Sequence, residues 1–162
     1  MASSVAFGPL PDAQARAPLP GAVLFCCSEN AIRSPMAEAL LKHLLGHRIY
    51  VDSAGVRAGE LDGFAVAVMD EIGIDLSRHH AKTLDDLEDG SFDLIVSLSP
   101  EAQHAAVELT RTWACDVEFW NTFDPSIVEG GRDERLAAYR QVRDQLMERI
   151  RQRFPIDLKP EV

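Results

Sequence analysis

The sequence predicts an α/β protein of three layers, a four-stranded parallel sheet with helices on both faces and a functional loop after the first strand. Three observations predict it. Short apolar runs alternate with segments of helical period along the chain. The first run, AVLFCC (22–27), is apolar at every position, as a strand buried on both faces must be. The stretch CSENAIRSP (27–35) follows neither period and joins that strand to the first helix, at the strand end where open α/β sheets bind ligands. A chain of 162 residues, 46% hydrophobic, suits one domain with a substantial core.

Residues 1–21 hold four prolines and two glycines with no apolar period, and read as a mobile leader. They lack the basic start and apolar stretch of a secretory signal. The remainder, 22–162, reads as a single domain. After the first strand, SPMAEALLKHLLG (34–46) predicts a helix with Ser34 as N-cap, Pro35 in the first turn and Gly46 at the C-terminus. Met36, Ala37, Leu40, Leu41, Leu44 and Leu45 form its buried stripe. RIYVDSAG (48–55) predicts a second strand, DGFAVAVMDEIG (62–73) a second helix closed by Gly73, and TLDDLED (83–89) a short helical turn. FDLIVSLS (92–99) predicts the third strand, Pro100 opens a helix through about Trp113, and DVEFW (116–120) is the fourth strand. A last helix spans about Arg132 to Phe154, with Leu136, Tyr139, Val142, Leu146 and Ile150 spaced three or four apart.

Charge narrows the function. Sixteen basic against 26 acidic side chains leave a formal charge of −10. Such a surface repels nucleic acid and anionic membranes, so neither is an expected partner. No apolar run reaches the length of a membrane span. Three cysteines, two adjacent, make no disulfide framework, and a reducing cytoplasm is the expected compartment. No metal and no cofactor are expected: the histidines and cysteines show no ligand spacing, and Asp85, Asp86, Glu88 and Asp89 read as a solvated face.

A small anion is compatible with this charge if its site is built locally. The 27–35 loop can build one, because a helix start offers unpaired N–H groups and partial positive charge. Cys27 opens the loop, where the helix start and a guanidinium stabilise a thiolate. Arg33 closes it with a planar fork that binds two oxygens of one anion. A nucleophile and a clamp around one cradle suit phosphoryl transfer.

VLFCCSENAIRSPMAEALL resembles the first strand, phosphate loop and first helix of the low-molecular-weight protein tyrosine phosphatases and of their relatives, the thioredoxin-coupled arsenate reductases. DSAG (52–55), GIDLSRHHAKTL (73–84), FDLIVSLS (92–99) and FDP (123–125) resemble the later landmarks in the same order, over roughly residues 22–154. The resemblance implies hydrolysis of a phosphomonoester, on a protein or a small molecule, through a phosphocysteine at Cys27. It implies that Arg33 and the loop residues Ser28, Glu29, Asn30, Ala31 and Ile32 hold the phosphate. Ser34 hydrogen-bonds the thiolate, and Asp124 protonates the leaving oxygen and then serves as base. Asn30, Ser53 and His79 brace the loop. Pro125 favours an extended backbone at Asp124.

The chain departs from that pattern at several points. Glu29 stands where the family has glycine, so a carboxylate is expected beside the anion site, and glycine restored there is expected to speed turnover. No aromatic residue follows the SAG turn or Asp-Pro, which leaves Trp120 and Phe123 as the nearest candidate walls. Ile32 occupies the place of a second loop cysteine, and the third strand ends in SLS without the thiols of an arsenate relay. The alternatives are therefore arsenate reduction with an external thiol, and an oxyanion-binding module without catalysis.

Overall fold

The computed structural model describes residues 19–88 and 90–155. The leader expected over 1–21 falls outside them for residues 1–18, as do Asp89 and residues 156–162. The strands are β1 (Ala22–Cys27), β2 (Tyr50–Gly55), β3 (Leu94–Ser97) and β4 (Asp116–Phe119). They are parallel and lie in the order β2-β1-β3-β4, so β1 is an interior strand. The helices are α1 (Arg33–Leu45), α2 (Gly63–Asp70), α3 (Pro100–Leu109) and α4 (Arg132–Arg153), with short 3-10 turns at Leu84–Asp86 and Pro125–Ile127.

Alternation along β1 divides the core. Val23, Phe25 and Cys27 face one layer, with Met36, Leu40 and Leu41 of α1 and Tyr139, Leu146 and Ile150 of α4. Leu24 and Cys26 face the other, with Leu84 and with Ala102 and Ala106 of α3. Both faces of β1 are thus dry, which is why its sequence is apolar without a break. Trp120, one of the two expected walls, belongs to this core at 3% exposure and meets Phe25 edge-on.

Several element ends differ from the sequence expectation. The first helix begins at Arg33 rather than after an N-cap at Ser34; Ile32 takes the cap position without a side-chain bond, because the Ser34 hydroxyl is engaged by Cys27. The second strand begins at Tyr50, since the amides of Arg48 and Ile49 still bond the Leu45 carbonyl. The second helix ends at Asp70 and a turn carries the chain to Gly73, at φ 81. The third strand is shortened to Leu94–Ser97 because the Asp93 carboxylate caps the amides of Gly21 and Ala22. The third helix ends at Leu109, not near Trp113: the hydroxyls of Thr110 and Thr112 bond carbonyls three residues back and compete with the helical ladder.

Candidate active site

β1 delivers Cys27 to the carboxyl edge of the sheet, and the chain then turns through Ser28–Ile32 into α1. Every carbonyl of this turn points outward to a partner. Those of Cys27, Ser28 and Glu29 accept from Val56 N (3.1 Å), Arg57 N (2.8 Å) and Gly59 N (2.9 Å). Those of Asn30, Ala31 and Ile32 accept from His79 Nε2 (3.2 Å), Asp62 N (3.2 Å) and Met36 N (3.1 Å). The amides from Glu29 to Ile32 have no protein partner among the described residues. Carbonyls turned out and amides turned in, at the start of a 13-residue helix, make a concave anion cradle.

Asn30 makes the turn possible. At φ 55 it is the only non-glycine residue of positive φ among the described residues, a conformation asparagine tolerates. Its fully buried amide fixes the orientation of its neighbours. Oδ1 accepts from Lys82 N (3.0 Å), so Nδ2 donates to Ser34 Oγ (2.8 Å) and Ser53 Oγ (3.0 Å). The Ser34 hydroxyl therefore spends its own proton on Cys27 Sγ, 2.9 Å away, and Ser34 N–H lies 3.4 Å from the same sulfur. Two donors thus converge on one sulfur.

Glu29 stands at the mouth of the loop. Its φ is not positive, so its backbone has no need of glycine; the left-handed residue is the next one. Its carboxylate is 58% exposed and lies 4.0 Å from Arg57 Nη2. Arg57 also donates to Glu101 through Nη1 (2.5 Å) and Nη2 (3.1 Å). The acidic charge at the rim is thus met by a cation that the sequence reading did not assign.

Glycine is required instead at Gly55, the end of β2. A Cβ there would stand 2.7 Å from Asn30 N and 2.9 Å from Glu29 C, closer still to the Arg57 carbonyl. Overpacking against backbone costs about 1–3 kcal/mol. The Gly55→Ala protein is expected to unfold at lower denaturant by that amount; an unchanged urea midpoint contradicts the contact.

A second group supports the loop from behind. Ser53 donates to Glu38 Oε1 (2.5 Å), which Lys42 also approaches at 2.5 Å through Oε2. His79 Nε2 sits 3.0 Å from Asn30 Oδ1 and 3.2 Å from its carbonyl; both are acceptors, so Nε2 carries the proton and Nδ1 faces Glu38 at 4.0 Å. Burial pushes the His79 pKa below its ordinary 6.5, against the opposing pull of Glu38 and the Asn30 carbonyl. The unfolded chain therefore takes the proton first as the pH falls. The stabilisation from neutral His79 is complete above about 6.5 and is withdrawn as pH drops below it. Urea midpoints from pH 8 to pH 5 should fall more steeply for the wild type than for His79→Gln; parallel profiles would contradict this.

The cavity in front of the loop measures about 240 Å³. Cys27, Ser28, Glu29, Ala31 and Ile32 line it from the loop, and Arg33, Arg57, Asp124 and Ser126 from around it. Arg33 donates through Nη1 to the Thr122 carbonyl (2.9 Å), which leaves the rest of its fork for an anion. Asp124 caps the turn that follows it, its Oδ1 accepting from Ser126 N (2.9 Å) and Ser126 Oγ (2.7 Å). Asn30, Ser34, Ser53 and His79 stand behind the loop rather than in the cavity. Neither expected aromatic wall lines it: Trp120 is core, and Phe123, 51% exposed, is not among the lining residues. Arg57, Ser126, Glu38 and Thr122 were missed, because their roles arise from contacts between distant segments. Only Arg57, two residues past DSAG, had a signal in its position.

Fold and loop together define a class: a parallel α/β protein whose interior strand hands a cysteine to an oxyanion cradle at the head of a helix. The profile of the low molecular weight phosphotyrosine protein phosphatases matches residues 22–161, and the chain belongs to that family. An arsenate reductase of Halalkalibacterium halodurans is 37% identical over 130 residues, 80% of this chain and 91% of that protein. The crystal structure of the Erwinia amylovora tyrosine phosphatase amsI shares the fold, with a TM-score of 0.69 at 23% identity over 85% of this chain and 93% of that one. The low molecular weight protein tyrosine phosphatase of T. tengcongensis superposes with a TM-score of 0.66 at 29% identity, over 81% and 95%. The family is one of cysteine-based enzymes that act on phosphorylated substrates or on oxyanions such as phosphate and arsenate. Among the described residues no helix is long and apolar enough to cross a membrane.

Proposed function

We propose that the protein hydrolyses phosphomonoesters through a phosphocysteine intermediate. One observation carries the reading: Asp124 lines the same small cavity as a sulfur that accepts from Ser34 at the head of α1. In the first step the Cys27 thiolate attacks phosphorus, the S–P bond forms and the ester O–P bond breaks. The Asp124 carboxyl gives its proton to the leaving oxygen. In the second step Asp124, now a carboxylate, takes a proton from water as the water oxygen attacks phosphorus. The S–P bond breaks, and thiolate and phosphate are released. Arg33 and the loop amides hold the equatorial oxygens throughout, and Ser28, Glu29, Ala31 and Ile32 contribute the walls. Asn30, Ser53 and His79 position the loop.

Arsenate reduction is the second reading, favoured by the name of the relative from Halalkalibacterium halodurans. The thiols weigh against an internal relay. Cys26 is packed on the opposite face, its thiol pushed well above the ordinary range by burial and by Cys27 beside it. Cys115 precedes Asp116, whose register partners are Leu94 and then Val23, so it lies at the far end of the sheet. Five residues of strand separate that level from Cys27, roughly 16 Å, against a Cα separation of about 7 Å at most for a disulfide. Release of phosphate from an aryl phosphate, measured beside thiol-dependent arsenite production, tests the two readings. Turnover of the ester without arsenite is expected. Arsenite production with no ester hydrolysis would reverse the assignment.

A further inference from the structure

Arg132 and Arg135 open α4 and lay their guanidinium groups over one ring, Phe64 of α2, with Cζ 5.6 and 4.5 Å from its centroid. Among the described residues neither makes a hydrogen bond or an ion pair, and Nε of Arg135 is buried without a partner. This arrangement is unfavourable in three respects. Like charges converge, both sit at the positive end of a 22-residue helix, and a buried N–H is unsatisfied. It does not arise from a shortage of carboxylates in a chain with 26 of them. Glu134, the residue between them nearest to hand, caps the Gly131 amide instead (2.8 Å).

The pair stands beside the candidate active site. The Phe64 ring packs on Tyr139 with centroids 5.3 Å apart, and Tyr139 donates to Asp62 Oδ2 (2.9 Å). Asp62 N in turn donates to the carbonyl of Ala31, which lines the cavity (3.2 Å). The Pro125–Ile127 turn that follows Asp124 packs against α4, and the Tyr139 hydroxyl feels the charges of both Arg135 and Asp124. Arg57, which does line the cavity, is unlike this pair: it is already held by Glu101 and faced by Glu29. Neither Arg132 nor Arg135 lines the cavity; the Pro125–Ile127 turn, which packs against the helix they open, contributes Ser126 to its lining.

We propose that Arg132 and Arg135 form a subsite for a second anionic group of the substrate, a carboxylate or phosphate next to the scissile phosphate. This rests on the reading that the Cys27 loop takes the scissile phosphate. A guanidinium fork stacked on a ring keeps its in-plane donors for an oxyanion, and stacking limits the entropy lost on binding. The subsite selects substrates by the charge beside the phosphate and turns them so that this charge lies over α4, away from Glu29.

The test compares phosphotyrosyl peptides bearing Glu or Gln next to the phosphotyrosine, and aryl phosphates with and without a carboxylate. The readout is the ratio of kcat/KM for the acidic over the neutral partner. A ratio of about five or more is expected in the wild type at low salt, falling as salt is added. In Arg132→Gln/Arg135→Gln the ratio falls towards one, and in Arg132→Lys/Arg135→Lys most of it is kept. A merely structural role would lower both rates and leave the ratio alone. A preference in either arm that the glutamine variant abolishes supports the subsite. No preference in either arm, or one that survives in the glutamine variant, overturns it. If no ester is hydrolysed, the phosphatase reading fails by itself. Binding of the same labelled peptides to the full chain, read by fluorescence anisotropy, then decides the subsite: a fivefold difference in Kd that the glutamine variant loses supports it, and equal Kd values overturn it.

Discussion

The Cys27→Ser protein is expected to release phosphate from an aryl phosphate at least about 10³–10⁴-fold more slowly than the wild type, while still binding inorganic phosphate. The two effects separate because two different parts of the loop are involved. Binding belongs to the amides of Glu29–Ile32 and to Arg33, which the substitution leaves in place. Attack belongs to the sulfur, a far better nucleophile than a serine hydroxyl. Ser34 would still donate to the new oxygen, so the cradle keeps its shape. Initial rates with an aryl phosphate and calorimetry with phosphate check both halves. Unchanged turnover removes Cys27 as nucleophile; lost phosphate binding with an intact fold shows that the sulfur also organises the cradle. Cys26→Ser serves as a contrast, since Cys26 is buried in the opposite layer and should alter stability rather than chemistry.

The second large effect is expected at Asp124. Asparagine there can still accept from Ser126 N and Oγ, so the turn before Pro125 survives and only proton transfer is lost. Loss of a positioned acid and base costs about 10²–10⁴-fold in rate. For Asp124→Asn the loss should approach the upper part of that range with phenyl phosphate and shrink with 4-nitrophenyl phosphate, whose leaving group needs a proton least. Rates measured across a series of leaving groups give this dependence as a slope. An equal loss for every leaving group would assign Asp124 a positioning role instead.

Much of the fold was legible because each element has a local cause. The apolar run of β1, the Ser99-Pro100 start of α3 and the apolar spacing of α4 each act within a few residues, and each element formed where it was expected. The ends were less legible. Thr110 and Thr112 end α3 early through their own hydroxyls, and Ser34 left its expected cap for a sulfur seven residues back. The loop, its cysteine and its arginine were also readable, since all lie within one segment between a strand and a helix. Glu29 lines the cavity, but the demanding backbone angle that glycine would serve is not at this position. The angle falls on Asn30, and the close approach that demands glycine falls on Gly55, which belongs to another strand.

What the sequence by itself determined is the alternation of strands and helices, the loop that starts with Cys27, and the family that its motifs resemble. All of these follow from neighbours along the chain, where period, capping and spacing act. Only the tertiary structure decided which distant groups meet around the site and beyond it. Thr122 holds Arg33 across 89 positions, Arg57 is drawn to Glu101 across 44, and Arg132 and Arg135 meet Phe64 from another helix. The physical reason is that charge and hydrogen bonding act over a few ångströms of space, and the packing of four helices on one sheet sets those distances.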